Sequence, residues 1–334
     1  MVKINNILID MKNFINIMGM VLGVLTLTTA CHSGDNEFPD YDYTTVYFAN
    51  QYPLRTLELG EDLEVDLTND NEHTVSINAA TGGSYSNDHD IYIDYTIDPT
   101  LCSDLSFSNG TAIQVMPASY YNLVNEDMVI HSGKIQGGLM VKLTDAFFAD
   151  SKSLSCTYVI PVKINSVHGA DSVLLNKNFV LYAVKYVNPW HGIYLRRGVD
   201  NITTASGTTT EVRHASYVEN DELQTVTTMA LNKSEMIVAI KDAAGKDHNC
   251  SLILTFNDNG ECSVNTETEG FEVSGTGAFV TKGEKESMGG IDRNVLYLDY
   301  TVKSQTLATT ISTKDTMVVR NRGIKPEYFT VVKK

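Results

Sequence analysis

Apolar and polar residues alternate with a period of two through most of this chain. Leu57, Leu59, Leu63, Val65 and Leu67 alternate around a Gly60-Glu61-Asp62 turn. Val75, Ile77 and Ala79 do the same, and Ile91, Ile93, Tyr95 and Ile97 alternate with Tyr92, Asp94 and Thr96. A period of two gives a strand one face in a core and the other in water. Val46–Ala49, Met128–His131, Leu139–Leu143, Thr157–Ile164 and Asn178–Lys185 are further strand segments, and turn clusters separate them at Thr68–Asn71, Thr81–Ser84 and Ser108-Asn109-Gly110. Only Ala118–Leu123 and Thr144–Ala149 suit a helical turn. This density of short strands predicts an all-β fold that begins with an Ig-like antiparallel β-sandwich over residues 43–186.

The pattern breaks once, at Tyr182–Gly198, which holds the chain's single tryptophan, Trp190. Pro189 cannot donate to a strand ladder, so the strand before it ends near Val187 and the segment is a hinge. Strand segments then follow as a meander: Trp190–Arg197, Thr210–Val218, Leu223–Ala230, Met236–Ile240, Ser251–Asn257, Cys262–Asn265, Phe271–Thr281, Asn294–Lys303, Thr316–Asn321 and Tyr328–Val332. Asn257-Asp258-Asn259-Gly260 is a strong hairpin turn. Consecutive up-and-down strands close their own edges as a barrel, so residues 188–334 are expected to form a lipocalin-like β-barrel, with a second sandwich as the alternative. Arg320 and Arg322 are placed to close over Trp190 by a cation–π contact.

At 334 residues the chain suits two domains and a leader. Its net charge of −16 repels nucleic acid, and that partner is excluded. There are five cysteines but no CxxC or Cys/His cluster of zinc spacing, so no metal or other cofactor is expected.

Residues 1–30 form a secretory leader. Met11-Lys12-Asn13 opens the apolar run Phe14–Leu27, which ends in Thr28-Thr29-Ala30-Cys31. Translation is expected to start at Met11. The run is short for a membrane span and no basic flank follows it. Small residues directly before a cysteine resemble a bacterial lipobox, with Cys31 as the lipidated first mature residue; Thr28 departs from the usual leucine. Residues 31–42 are acidic and poor in apolar groups, which suits a flexible tether. The acidic run resembles the surface-export signal of Bacteroidetes lipoproteins. Outer-membrane lipid, through acylated Cys31, is then the first partner, and the expected address is the cell surface. Cys102, Cys156, Cys250 and Cys262 remain. They pair as Cys102–Cys156 and Cys250–Cys262, or stay as four buried thiols.

The wording of three segments, VYFANQYPLRTLELGED, DMVIHSGKIQGGLMVKLTDAFFAD and TYVIPVKI, resembles the DUF1735 family of Bacteroidetes lipoproteins. VKYVNPWHGIYLRRG resembles the start of the C-terminal domain of unknown function that accompanies it. The resemblance implies an Ig-like first domain and a surface protein of polysaccharide-utilisation loci, and glycan binding by that neighbourhood alone.

Candidate binding residues are few. Trp190 is a flat platform on which a sugar face can stack, with Tyr194 beside it; its position at the junction equally suits interface packing. Arg196, next to Arg197, can hold a carboxylate or sulfate bidentately, or form an internal ion pair. Tyr85, Asn87, Asp88, His89 and Asp90 sit on one predicted loop, where Asp88 and Asp90 have a spacing open to calcium and the bland alternative is a solvated turn. Tyr120 and Tyr121 form either an aromatic patch or a packed turn. Gly275-Thr276-Gly277 is no dinucleotide loop, because it lies inside a strand pattern with no helix after it, and Ser132-Gly133-Lys134 lacks the upstream glycine and helix of a phosphate loop. No nucleophile elbow or HExxH appears. The expectation is a non-enzymatic glycan binder that passes oligosaccharide to outer-membrane importer components; an adhesin-like or structural module is the alternative.

Overall fold

A computed structural model describes residues 43–84, 87–242 and 244–333. The leader, Cys31, the tether and Tyr85 therefore lie outside the described residues. The strands in chain order are β1 Thr45–Tyr47, β2 Pro53–Glu58, β3 Thr74–Gly82, β4 Ile91–Ile97, β5 Leu105–Phe107, β6 Gln114–Val115, β7 Tyr121–Leu123, β8 Met128–Ile130, β9 Gln136–Leu143, β10 Tyr158–His168, β11 Ser172–Val173 and β12 Phe179–Val187. Beyond the hinge come β13 Gly192–Thr204, β14 Gly207–Arg213, β15 Glu222–Ala230, β16 Lys233–Lys241, β17 Asp247–Phe256, β18 Glu261–Asn265, β19 Phe271–Glu284, β20 Arg293–Ser304, β21 Thr309–Asn321, β22 Glu327–Tyr328 and β23 Val331–Lys333.

The first half is a sandwich, as the alternation predicts. One sheet has the order β11-β1-β3-β9-β7 and the other β22-β2-β12-β10-β4-β8, with β6 beside β10. Most pairs are antiparallel; β1–β11, β2–β12 and β6–β10 are short parallel pairs. The alternating residues meet between the sheets, where Val75, Ile77, Ile91, Ile93, Leu139, Val141, Ile160 and Val162 are buried together. Leu63 and Val65 break the expectation of a strand here. They lie exposed in a loop, because the chain turns at Gly60 (φ +99°), where a Cβ would stand 2.8 Å from the Pro189 side chain. The turn is held against the hinge and its continuation never reaches a sheet.

Among the described residues, the second half forms one nine-stranded sheet, and eight of its strands close into a barrel. The order runs β13-β15-β16-β17-β18-β19-β20-β21, and β21 returns to pair with β13 from Ile193↔Asn321 to Thr203↔Thr310. Eight strands leave an interior just wide enough for side chains to fill. Inward positions of β16 and β17 do so strictly: Met236, Val238, Ile240, Cys250, Leu252, Leu254 and Phe256 are buried. The strand β14 stands outside this ring. It pairs with β13 over Gly198–Thr204, whereas β15 pairs with β13 over Gly192–Arg196. One strand thus changes neighbour halfway along its length.

The hinge is tightly bonded. Asn188 is fully buried; its Nδ2 donates to the carbonyls of Ala230 (3.0 Å) and Lys233 (2.8 Å) and to Ser234 Oγ (2.9 Å). Arg322, also buried, does not lie over Trp190 as expected. Its guanidinium donates to the carbonyls of Leu59 (3.0 Å), Glu61 (3.4 Å), Pro189 (3.3 Å) and Asn188 (2.8 Å). Four carbonyl oxygens converge there, and a carbonyl dipole is a stronger acceptor for a buried cation than a ring face. The segment Tyr328–Val332, expected as a last barrel strand, goes back to the sandwich: β22 pairs with β2 and β23 with β5. Phe329 sits edge-on to Tyr52 (5.6 Å) and Phe107 (5.2 Å) and anchors that return.

Candidate functional site

A concavity of about 980 Å³ lies on the outside wall of the barrel, across β18, β19, β20 and β21. Cross-strand register builds it in two rows. Ser263 faces Thr276, Thr276 faces Asp299, and Asp299 faces Lys314. In the second row Glu261 faces Ala278, Ala278 faces Tyr297, and Tyr297 faces Thr316. Four strands at roughly 4.8 Å spacing make a floor about 14 Å across.

Two features of the sequence hollow this wall. Outward positions on β18 and β19 are small: Ser263, Thr276 and Ala278. Two of the inward positions on β19 are Gly275 and Gly277, between the core-facing Val273 and Phe279. A Cβ on Gly277 would lie 2.4 Å from Leu298 Cδ2, 2.5 Å from the Tyr297 carbonyl and 2.9 Å from Cys262 Sγ; one on Gly275 would lie 2.4 Å from Tyr300 Cβ. Having no side chains, the two glycines let β19 sink towards the core, and the outer face sinks with it. This is the Gly-Thr-Gly segment, and it does lie within a strand.

The groove mixes apolar lining with polar side chains and has one aromatic wall. Tyr297, 36% exposed, stands over it, and its hydroxyl donates to Glu284 Oε1 at 2.9 Å. Burial first, and Glu284 second, hold its phenol above the ordinary range, so the ring is neutral. Asp299 and Lys314 form an exposed ion pair at 3.3 Å. Asn257 donates to Glu261 Oε2 (3.0 Å) at the rim. Hydroxyls, carboxylates, an amide and an ammonium beside a flat ring are the groups that bond a polyhydroxylated ligand.

The residues singled out from sequence lie elsewhere, and most are inward. Trp190 stacks on Phe256 with ring centroids 3.9 Å apart and planes 6° from parallel, so one face is covered by protein. Tyr194 is inside the barrel, and its hydroxyl donates to the Trp190 carbonyl at 2.6 Å. Arg196 is inside too: Nε donates to Asp315 Oδ2 (2.9 Å) and Nη2 to the Tyr300 hydroxyl (3.0 Å). Arg197 pairs with Asp221 at 2.6 Å. On the sandwich, Asp88 and His89 bond each other at 2.5 Å, while Asp90 accepts from the Ser132 amide (2.8 Å) and contacts His131. The two carboxylates turn to different partners. Tyr120 donates to Asp150 (3.0 Å) and packs edge-on against Phe147 and Tyr158; Tyr121 is half-buried in β7. Among the described residues no group of three or more His, Cys, Asp or Glu is arranged to hold a metal. Cys102, Cys156, Cys250 and Cys262 are free thiols.

Comparison with known proteins bears on the whole chain. A crystal structure of a protein of unknown function from Bacteroides ovatus, at 2.40 Å resolution, is 45% identical in sequence. It spans 88% of this chain and 100% of its own, with a TM-score of 0.83. The chain belongs to that protein's family. Its barrel is the DUF5627 domain, a domain of unknown function matched over residues 189–323, and a second family profile, described as a "-like, N-terminal domain", matches residues 41–171. The two-module arrangement expected from sequence is that of this Bacteroidetes family. Another Bacteroides ovatus structure, of a proposed carbohydrate-binding protein, spans 86% of this chain at 11% identity with a TM-score of 0.28, which is too low to carry an argument. No curated protein matches the chain. The DUF5627 groove was beyond sequence reasoning because its residues come from four strands. The one usable signal was two glycines inside a strand.

Proposed function

We propose that this protein is a lipid-anchored outer-membrane protein that holds a glycan in the groove on the DUF5627 barrel. The groove itself supports the reading most: about 980 Å³, with one polar row, Ser263, Thr276, Asp299 and Lys314, and a second row that carries Tyr297 as a stacking wall. Sugars are bound by such mixtures, because ring C–H faces pack on an aromatic and hydroxyls exchange hydrogen bonds with side chains. Binding, not catalysis, is the proposed role. A glycosidase acid needs a carboxyl kept protonated by burial, whereas Asp299 is 64% exposed and paired with Lys314.

The anchor is Cys31, which places both modules at the cell surface, where the captured oligosaccharide passes to importer components. Calorimetry with a panel of plant and host oligosaccharides tests the ligand. Tyr297→Ala should weaken the best one by about tenfold, the loss of one aromatic stacking contact. A folded protein that binds none of the panel, or an unchanged Tyr297→Ala, overturns the reading. Radiolabelled palmitate should appear on the wild-type protein and not on Cys31→Ala.

A further inference from the structure

Both rows of the outer groove run across the strands, taking one residue from each of β18, β19, β20 and β21. Neighbouring strands are about 4.8 Å apart, and the two rows, two residues apart along every strand, are separated by about 7 Å. The floor therefore has a short step across the strands and a long step along them. An equatorially linked pyranose repeats along its chain at close to the strand spacing, about 5 Å, and is wider than that from one hydroxyl edge to the other. Laid across the strands, such a chain sets one sugar over each strand, with its two edges on the two rows. Laid along a strand, it falls out of step with side chains that recur every 7 Å or so.

Each strand offers a different contact. On β18 and β19 the first row presents the hydroxyls of Ser263 and Thr276. On the sunken β19 nothing larger than Thr276 stands in either row, so a chain lies deepest there. On β20 Tyr297 gives one sugar an aromatic face. Its bond to Glu284 Oε1 (2.9 Å) holds the ring before any ligand arrives, so less side-chain freedom is lost on binding. Asp299 and Lys314 bridge β20 and β21, and a pair this exposed holds weakly, which leaves both partners to the hydroxyls of a sugar. The charge disfavours acidic sugars. Among the described residues lining the groove, Glu261 and Asp299 are outward carboxylates, while the cation Lys314 is already paired with Asp299. Asp315 is turned inward onto Arg196 and Arg213. Glu284 adds another carboxylate beside Tyr297, in a chain of net charge −16.

We propose that the ligand of this groove is a linear, uncharged, equatorially linked glycan that lies across the strands and is held through about four consecutive sugars, one for each strand of the floor. This rests on the glycan reading given above and narrows it. A uronate or sulfate on the chain would meet Glu261, Asp299 and Glu284 with one ammonium to offset them, and like charges brought together reject a ligand that otherwise fits.

The test is calorimetry on the mature protein with β-1,4-linked cello- and manno-oligosaccharides of two to six sugars. At least one series should gain about threefold or more in affinity per sugar from two to four, and less than about twofold in all from four to six. The better hexasaccharide, oxidised at C6 to its uronate, should bind at least about tenfold more weakly at low salt, and the gap should narrow at about 0.5 M salt. Glu261→Gln should narrow it too. Ser263→Phe, at an exposed outward position on β18, fills the end of the row and should move the plateau from four sugars to three; a chain lying along β20 would not feel it. Affinity that keeps climbing beyond four sugars, a uronate bound as well as its neutral parent, or an unmoved plateau in Ser263→Phe overturns this proposal and leaves glycan binding standing. So does binding confined to branched, α-linked or acidic members of the wider panel. A folded protein that binds no oligosaccharide overturns both.

Discussion

Replacing Gly277 by alanine tests why the groove exists. The added methyl would sit 2.4 Å from Leu298 Cδ2 and 2.9 Å from Cys262 Sγ, both side chains that can shift. It would also sit 2.5 Å from the Tyr297 carbonyl, which is backbone and held in the β19–β20 ladder. Overpacking of this kind costs about 1–3 kcal/mol. The backbone clash puts it in the upper part of that range, and the entropy an alanine removes from the unfolded chain returns about 0.4–1 kcal/mol. The net loss is about 2 kcal/mol, or roughly 4–8 °C in melting temperature for a domain of this size. Thr276→Ala, one residue away but pointing outward, should change stability by no more than about 0.5 kcal/mol. Differential scanning calorimetry of the two variants decides it. The alanine should also push β19 outward and make the groove shallower, so any glycan that binds there should bind Gly277→Ala less well. If Gly277→Ala melts within about one degree of the wild type, β19 is not pinned against β20 in this way and the account of the groove is wrong.

Three further outcomes follow from the hinge and the core. Arg322→Met leaves four carbonyls without their shared donor and should cost about 2–4 kcal/mol, read as a lower urea midpoint; a midpoint equal to wild type would show that the clamp contributes nothing. His191 accepts the Thr228 amide proton on Nδ1 (3.2 Å), and burial, with Arg322 and Lys185 adding to it, pushes its pKa down to about 4. The folded value is below the unfolded one, so stability is complete above about pH 6.5 and falls as pH drops towards 4, by up to about 3 kcal/mol. Melting temperature should therefore fall less steeply between those values in His191→Gln than in wild type, even though His89, whose pKa is raised by Asp88, works in the opposite direction. Burial also holds the thiols up, Cys102 and Cys156 to about 11 and Cys262 to about 12. In protein expressed from Asp42 onward, Ellman's reagent should find four thiols after denaturation and almost none before; a denatured titre of two would mean a disulfide.

How legible each part was depended on the range of the interactions that fix it. The strands Lys233–Lys241 and Asp247–Phe256 were plain, because their burial alternates residue by residue in the structure as their hydropathy does in the chain. The same alternation misled at Leu63 and Val65. Nothing local distinguishes them from a strand, and their fate was set by Pro189 and Gly60 meeting from opposite ends of the first domain. Arg322 was placed in the right region and given the wrong partner, since four carbonyls gathered from Leu59 to Pro189 leave no trace in a linear sequence. Aromatic and basic residues were favoured as site candidates, yet Trp190, Tyr194 and Arg196 carry the barrel's internal bonding. Tyr297, Asp299 and Thr316 drew no attention, and Thr276 only as part of a dismissed glycine motif, because each is an ordinary outward residue until register sets them side by side.

The return of Glu327–Lys333 to the first module has a consequence for folding. The edges offered by β2 and β5, laid down within the first sixty-five or so described residues, find their partners only in Glu327–Lys333. The first module therefore cannot be completed until the barrel strands that lie between its pieces in the chain have been made. Such distant pairings slow folding. A fragment cut at the hinge would carry two raw sheet edges, open to pairing with other copies.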